Sequence, residues 1–184
     1  MKCNVRFSFV GIALLTLMLI YDKDGNAGFG ICAAVFHEAG HLLLLLIYKV
    51  PPEKVVVGIF GIRIERTEKT NTSYLREALI VLAGPVFNLI AAALFSTGIF
   101  VKMNLAIGIF NLLPIIPLDG GRTLYYILCT VKNESSAKKI TKNITAIGLI
   151  PLTVIGLLIF ISDKSNYSLL LSSLYISFAL LSFP

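Results

Sequence analysis

Apolar residues are gathered along this chain into long blocks rather than spread at alternating or helical spacing. Residues 5–20, 27–48, 78–101, 105–128, 144–161 and 169–183 form six of them. Each approaches the roughly 20 residues that an α-helix needs to cross a hydrocarbon core. The pattern predicts an all-α polytopic membrane protein with about six transmembrane helices, the last one short. Lys2 and Arg6 precede an apolar run, as in a signal peptide. A polar turn at 22–26 stands where a small-residue cleavage site would be, so a retained helix is expected.

Between the second and third blocks the pattern changes. Val55, Val57 and Ile59, then Ile62 and Ile64, alternate with other residues, and Gly58 and Gly61 punctuate them. This predicts a short membrane-associated β-hairpin after the second helix. It reads either as an ordinary amphipathic loop or as an edge strand able to pair with an extended peptide. No repeat or low-complexity tract interrupts residues 1–184, which are expected to form a single transmembrane domain.

Composition sharpens this picture. Charged residues make up 14% of the 184, against roughly 25% in a soluble domain. The net charge of +6 forms no stripe on a soluble face, which excludes nucleic acid as a partner. The basic residues cluster before the first block, within 49–76 and within 132–142. The positive-inside rule then places both termini in the cytoplasm. The second helix runs inward, and His41 lies about 12 Å from its end at 1.5 Å per residue. Three cysteines without paired spacing exclude a disulfide framework or a thiolate zinc site. Cys32 reads as a small apolar residue.

The chain has two histidines, and both fall in one apolar block as His37-Glu38-Ala39-Gly40-His41. Glu38 is the only formal charge in 27–48, and an intramembrane carboxylate is a functional hypothesis by default. Histidines at i and i+4 share a helix face and can share a zinc ion, with the glutamate between them as a general base. Zinc in a hydrolase takes three protein ligands and keeps a fourth position open. Asp119, in the run 111–122, is the other acidic residue within an apolar block. Pro114 and Pro117 break the helix before it, and Gly120 and Gly121 after it permit tight backbone geometry. Irregular backbone at membrane depth needs protein cover or water. Asp119 reads as the third ligand, or as a carboxylate capping the helix that follows.

Two motifs together, HEAGH at 37–41 and NLLPIIPLDGGR at 111–122, resemble those of the site-2 protease family of intramembrane zinc metalloproteases. Gly84-Pro85-Val86-Phe87-Asn88 is similar to the Gly-Pro-x-x-Asn element of that family's third core helix, and Gly58-Ile59-Phe60-Gly61 to its glycine-containing membrane-associated strand. The likeness covers residues 27–128 and is to the compact, sporulation-type bacterial branch. It implies that His37, His41 and Asp119 bind Zn2+ and that Glu38 is the catalytic base. It also implies that Asn88 and Asn111 hold substrate or an oxyanion. For Asn88 the other reading is an interhelical hydrogen bond.

The implied activity is cleavage of a membrane-spanning or membrane-associated protein within the lipid bilayer, with room for a regulatory membrane partner. Two readings compete: a metal-ion transporter or sensor, and a non-catalytic relative that binds client proteins. A transporter predicts several polar stations along a path, whereas histidines and carboxylates here gather at one site. A client-binding role needs no general base, and Glu38 is present.

Overall fold

Helices dominate the chain because backbone amides in an apolar setting must bond within their own segment. The structure is a computed structural model that describes residues 4–7, 16, 19–20, 22, 25–50, 54–58, 61–65, 72–96, 98–164 and 166–182. Its elements run β1 (Asn4–Phe7), α1 (Asn26–Ile47), β2 (Lys54–Gly58), β3 (Gly61–Glu65), α2 (Tyr74–Leu94), α3 (Ile99–Leu112), α4 (Asp119–Val131), α5 (Glu134–Ser162) and α6 (Ser168–Ser182). They fall into two compact units, Met1–Phe110 and Asn111–Pro184.

In the first unit, α1 starts where the Asp22 carboxylate accepts the backbone N–H groups of Asn26 (3.0 Å) and Ala27 (2.7 Å). These are amides that a helix start leaves without partners. α1 packs against α2, and small residues make the approach close. A Cβ on Gly40 would lie 2.6 Å from Ala83 O and 2.9 Å from Phe87 Cγ. Toward the end of α1 the contact becomes an apolar cluster of Leu45, Val50 and Ile80.

The strands form one sheet in the order β1-β2-β3. β2 and β3 pair antiparallel with Gly58 opposite Gly61, and β1 pairs parallel with β2 from Asn4–Lys54 to Phe7–Val57. This corrects the expected helix over 5–20, whose first residues are strand. Pairing with β2 gives their amides the partners that a helix start would leave bare. Helical backbone is described at Thr16, Leu19 and Ile20, while residues 8–15 lie outside the described part.

Two apolar blocks divide differently from the hydropathy reading. The block at 78–101 ends early: α2 stops at Leu94, and Gly98, at φ +109°, opens a new helix. Residues 105–128 are two helices, α3 and α4, because the Pro114–Pro117 stretch cannot continue the first. Among the described residues α1, α2 and α5 are long and apolar enough to cross a membrane. α3, with 14 residues, reaches only about 21 Å at 1.5 Å per residue.

In the second unit α4 packs against α5, and α5 against α6. α5 begins well before its apolar block because Asn133 caps it, its side chain accepting Ser136 N–H at 2.8 Å.

Candidate metal centre

α1 carries His37 and His41 one turn apart, with Glu38, half-buried, between them. The two Nε2 atoms are 3.2 Å apart, and the rings meet edge-on at 81°. Their other nitrogens are held by α2. His41 Nδ1 donates to Ile80 O at 2.8 Å. A carbonyl only accepts, so Nδ1 carries the proton. His37 Nδ1 lies 2.6 Å from Asn88 Oδ1, again an acceptor. A neutral imidazole that donates from Nδ1 offers Nε2 as a lone pair. Two lone pairs this close repel unless a cation or a proton sits between them. Histidines that ligate metals show this arrangement, with the second ring N–H given to a carbonyl-type acceptor.

The pair fits against α2 because Gly84 has no side chain. A Cβ there would overlap His41 Nε2 and lie 2.8 Å from His37 Nε2. Sequence reasoning places Gly84 only in the Gly-Pro-x-x-Asn element; here its role is to leave room for the rings.

Asn88 is fully buried, and its amide is committed. Nδ2 donates to Ala33 O at 2.9 Å and to Asn104 Oδ1 at 2.8 Å, while Oδ1 faces His37. With both hydrogens spent it has no donor for an oxyanion, so the oxyanion role expected for Asn88 does not match this geometry. The bonds link helices instead. Asn104 was missed by sequence reasoning, since a single polar residue in an apolar helix carries no spacing signal.

Asp119 and Asn111 belong to the second unit. Asn111 is half-buried in the last turn of α3. The chain then folds back, with Ile115 N–H donating to Leu113 O (2.7 Å) and Leu118 N–H to Ile115 O (2.8 Å). Thr145 Oγ1 of α5 accepts the Ile116 N–H at 3.0 Å, and Ile115 packs where a Cβ on Gly148 would come within 3.1 Å. Gly120 and Gly121 close the turn: a Cβ on Gly120 would overlap Leu112 O, and one on Gly121 the Ile115 carbonyl carbon.

Asp119 emerges as the first residue of α4 and is 7% exposed. The N-cap position is Leu118, so Asp119 is not the helix cap considered for it. Its carboxylate sits in the first turn, where the helix dipole favours a negative charge, and lies 3.7 Å from Arg122 Nη1. One turn on, the buried Thr123 Oγ1 has no hydrogen-bond partner among the described residues.

Comparison with known proteins follows the same residues. The model of peptidase family M50 matches residues 96–155, which contain the Asp119 motif. Stage IV sporulation protein FB of Bacillus subtilis is 30% identical over 125 residues, 61% of this chain and 39% of that protein. A zinc metalloprotease of Methanocaldococcus jannaschii is 29% identical over 163 residues, 79% of this chain and 45% of that protein. The chain thus spans less than half the length of these curated relatives. The solved site-2 protease from Methanocaldococcus jannaschii superimposes with a TM-score of 0.64 at 23% identity, over 99% of this chain and 92% of that one, so the two share a fold. A family model on one motif, curated relatives along the chain and a shared fold make this chain similar to peptidase family M50 and to a solved site-2 protease.

Proposed function

We propose that this protein is an intramembrane zinc metalloendopeptidase that cleaves membrane-spanning or membrane-associated proteins. One observation carries the reading: the two Nε2 atoms 3.2 Å apart, each on a ring whose Nδ1 is occupied by an acceptor. That nitrogen pair suits zinc, which takes imidazole ligands readily. His37 and His41 hold the ion, and Asp119 supplies the third ligand. Its burial, its acidic side chain and its fixed place on a glycine-tight turn support that role.

When bound, the zinc ion supplies Lewis acidity that polarises a peptide carbonyl and eases deprotonation of a water near pH 7. Glu38 takes the proton of the attacking water and passes it to the amine as the C–N bond breaks. Asn88 orients His37. Asn111 remains the candidate for holding substrate.

The membrane arrangement has about six spans: one in the first apolar block after β1, then α1, α2, α3 with α4 around their break, α5 and α6. Both termini lie in the cytoplasm of a bacterial cell, and residues 1–184 act as one protease domain of the compact, sporulation-type branch. The sheet lies against the membrane, and β3, an outer strand among the described residues, offers its outer edge to an unwound substrate segment. Unwinding matters because a helical peptide bond is hydrogen-bonded and shielded.

The test is co-expression with candidate single-span proteins and mass spectrometry of the fragments. Wild type yields a defined cut. Glu38→Gln retains zinc and lowers cleavage by about 10²–10⁴-fold, the usual worth of a general base. A fully active Glu38→Gln protein overturns the base assignment, and cleavage that survives complete removal of zinc overturns the metal reading.

A further inference from the structure

Behind His37 runs a chain of hydrogen bonds with a fixed direction. Asn104 of α3 and Asn88 of α2 are both fully buried. Asn104 Nδ2 donates to Phe100 O at 2.9 Å, and that carbonyl can only accept. Asn104 Oδ1 is therefore turned toward Asn88, whose Nδ2 donates to it at 2.8 Å. The other Nδ2 hydrogen of Asn88 goes to Ala33 O at 2.9 Å. Asn88 Oδ1 is left facing His37, and only Nδ1–H can fill the 2.6 Å contact.

Reversing the Asn104 amide would set its Oδ1 against Phe100 O and its Nδ2 against the Nδ2 of Asn88. Reversing Asn88 in response would set oxygen against Ala33 O. The orientation of each amide thus depends on the one before it, and the sequence ends at an imidazole. We propose that Asn104 is a positioning residue: from α3 it fixes the Asn88 amide and through it the tautomer of His37, so that Nε2 is the nitrogen offered to the metal. This rests on the zinc reading above for its consequence, though not for the tautomer itself.

The chain's two histidines make the tautomer directly readable. The metal-free protein, 15N-labelled at histidine and held near pH 8, should show His37 protonated at Nδ1. Asn104→Leu should convert His37 to a mixture of tautomers and weaken Zn2+ binding, measured by chelator competition, by about tenfold. That is the low end for groups behind a ligand, because Ala33 O still orients Asn88. His41, anchored on Ile80 O, should not change and serves as the internal control. In an Asn88→Ala background, adding Asn104→Leu should alter affinity less than twofold, whereas a merely structural role would lower it again. Asn104→Ala gives the same reading should the leucine variant not fold.

The proposal is overturned if wild-type His37 carries its proton on Nε2 alone. It is overturned equally if a folded Asn104→Leu or Asn104→Ala protein keeps both tautomer and affinity, or if the double variant loses affinity additively. A wild-type protein with the expected tautomer that takes up no zinc overturns the metal reading and leaves the role of Asn104 in the tautomer standing.

Discussion

The histidine pair and the aspartate are fixed in different ways. His37 and His41 sit on an unbroken helix, which supplies their spacing without special backbone, and their orientation comes from side-chain and carbonyl acceptors on α2. Asp119 sits at the end of a turn with no long helix before it. Its position comes from backbone laid on backbone, two glycines against Leu112 and Ile115, and one hydroxyl anchor from α5. A helix places residues cheaply but leaves rings free to rotate about χ angles, so it needs polar partners behind the ligand. A broken segment places a residue through its backbone path, so it needs the absence of side chains. Damage to the first kind of support should loosen the metal while sparing the fold, and damage to the second should harm the fold.

The largest contrast is expected between a ligand and a support. Asp119→Ala removes a proposed ligand, so the purified protein should lose its zinc and its cleavage together. Asn88→Ala removes the acceptor behind His37, together with the bonds to Ala33 O and Asn104 Oδ1, but no proposed ligand, and binding should weaken by about 10–100-fold, as for other groups behind metal ligands. Cleavage by Asn88→Ala should then return as zinc is added, and cleavage by Asp119→Ala should not. Zinc content after dialysis and cleavage during a zinc titration give both answers. Zinc-restored activity in Asp119→Ala would remove the aspartate from the ligand set.

The two glycine sites sharpen the comparison at smaller amplitude. In Gly121→Ala the new methyl meets the Ile115 carbonyl carbon and the Ile116 nitrogen, which are backbone atoms and cannot step aside. Overpacking of this kind costs about 1–3 kcal/mol, occasionally more, and should appear as a lower unfolding midpoint in detergent. In Gly84→Ala the methyl meets the imidazoles, which can turn if they give up Ile80 O and Asn88. That variant should keep most of its stability and lose metal affinity. The opposite pairing of phenotypes would break the distinction between the two supports.

What the sequence made legible follows the same division. The residues proposed to do the chemistry stand out because polar groups in apolar blocks are costly, and His37, Glu38, His41 and Asp119 are conspicuous for that reason. One helix break is legible too, since Pro114 and Pro117 mark it, whereas the break at Gly98 lay inside the block read as 78–101. Hydropathy read through both breaks because it averages over a window and cannot register one residue's φ. β1 was hidden for another reason: Asn4–Phe7 gains its strand form from a partner about fifty residues away, and nothing local distinguishes it from a helix start. Asn104 was hidden by the same nonlocality. Its meaning depends on which helix crosses beside it, and no spacing rule connects position 104 to position 88 or to His37.

The smallest predicted effects concern two buried threonines in the second unit. Thr145 Oγ1 accepts the Ile116 N–H, and Thr145→Val leaves that amide buried without an acceptor. A stranded buried donor costs about 1–3 kcal/mol, so the turn before Asp119 should loosen and the unfolding midpoint should fall. Thr123→Val has the same shape change and the opposite expectation, because its hydroxyl has no partner among the described residues. Removing a polar atom that is already unsatisfied relieves desolvation, so stability should hold or rise by up to about 1 kcal/mol. Paired unfolding measurements on the two valine variants decide the matter. Equal losses would mean that the Thr123 hydroxyl is satisfied in the working protein by a group such as an ordered water. The turn that presents Asp119 would then rely on polar support as the histidines do, and the contrast between the two regions would narrow to the glycines.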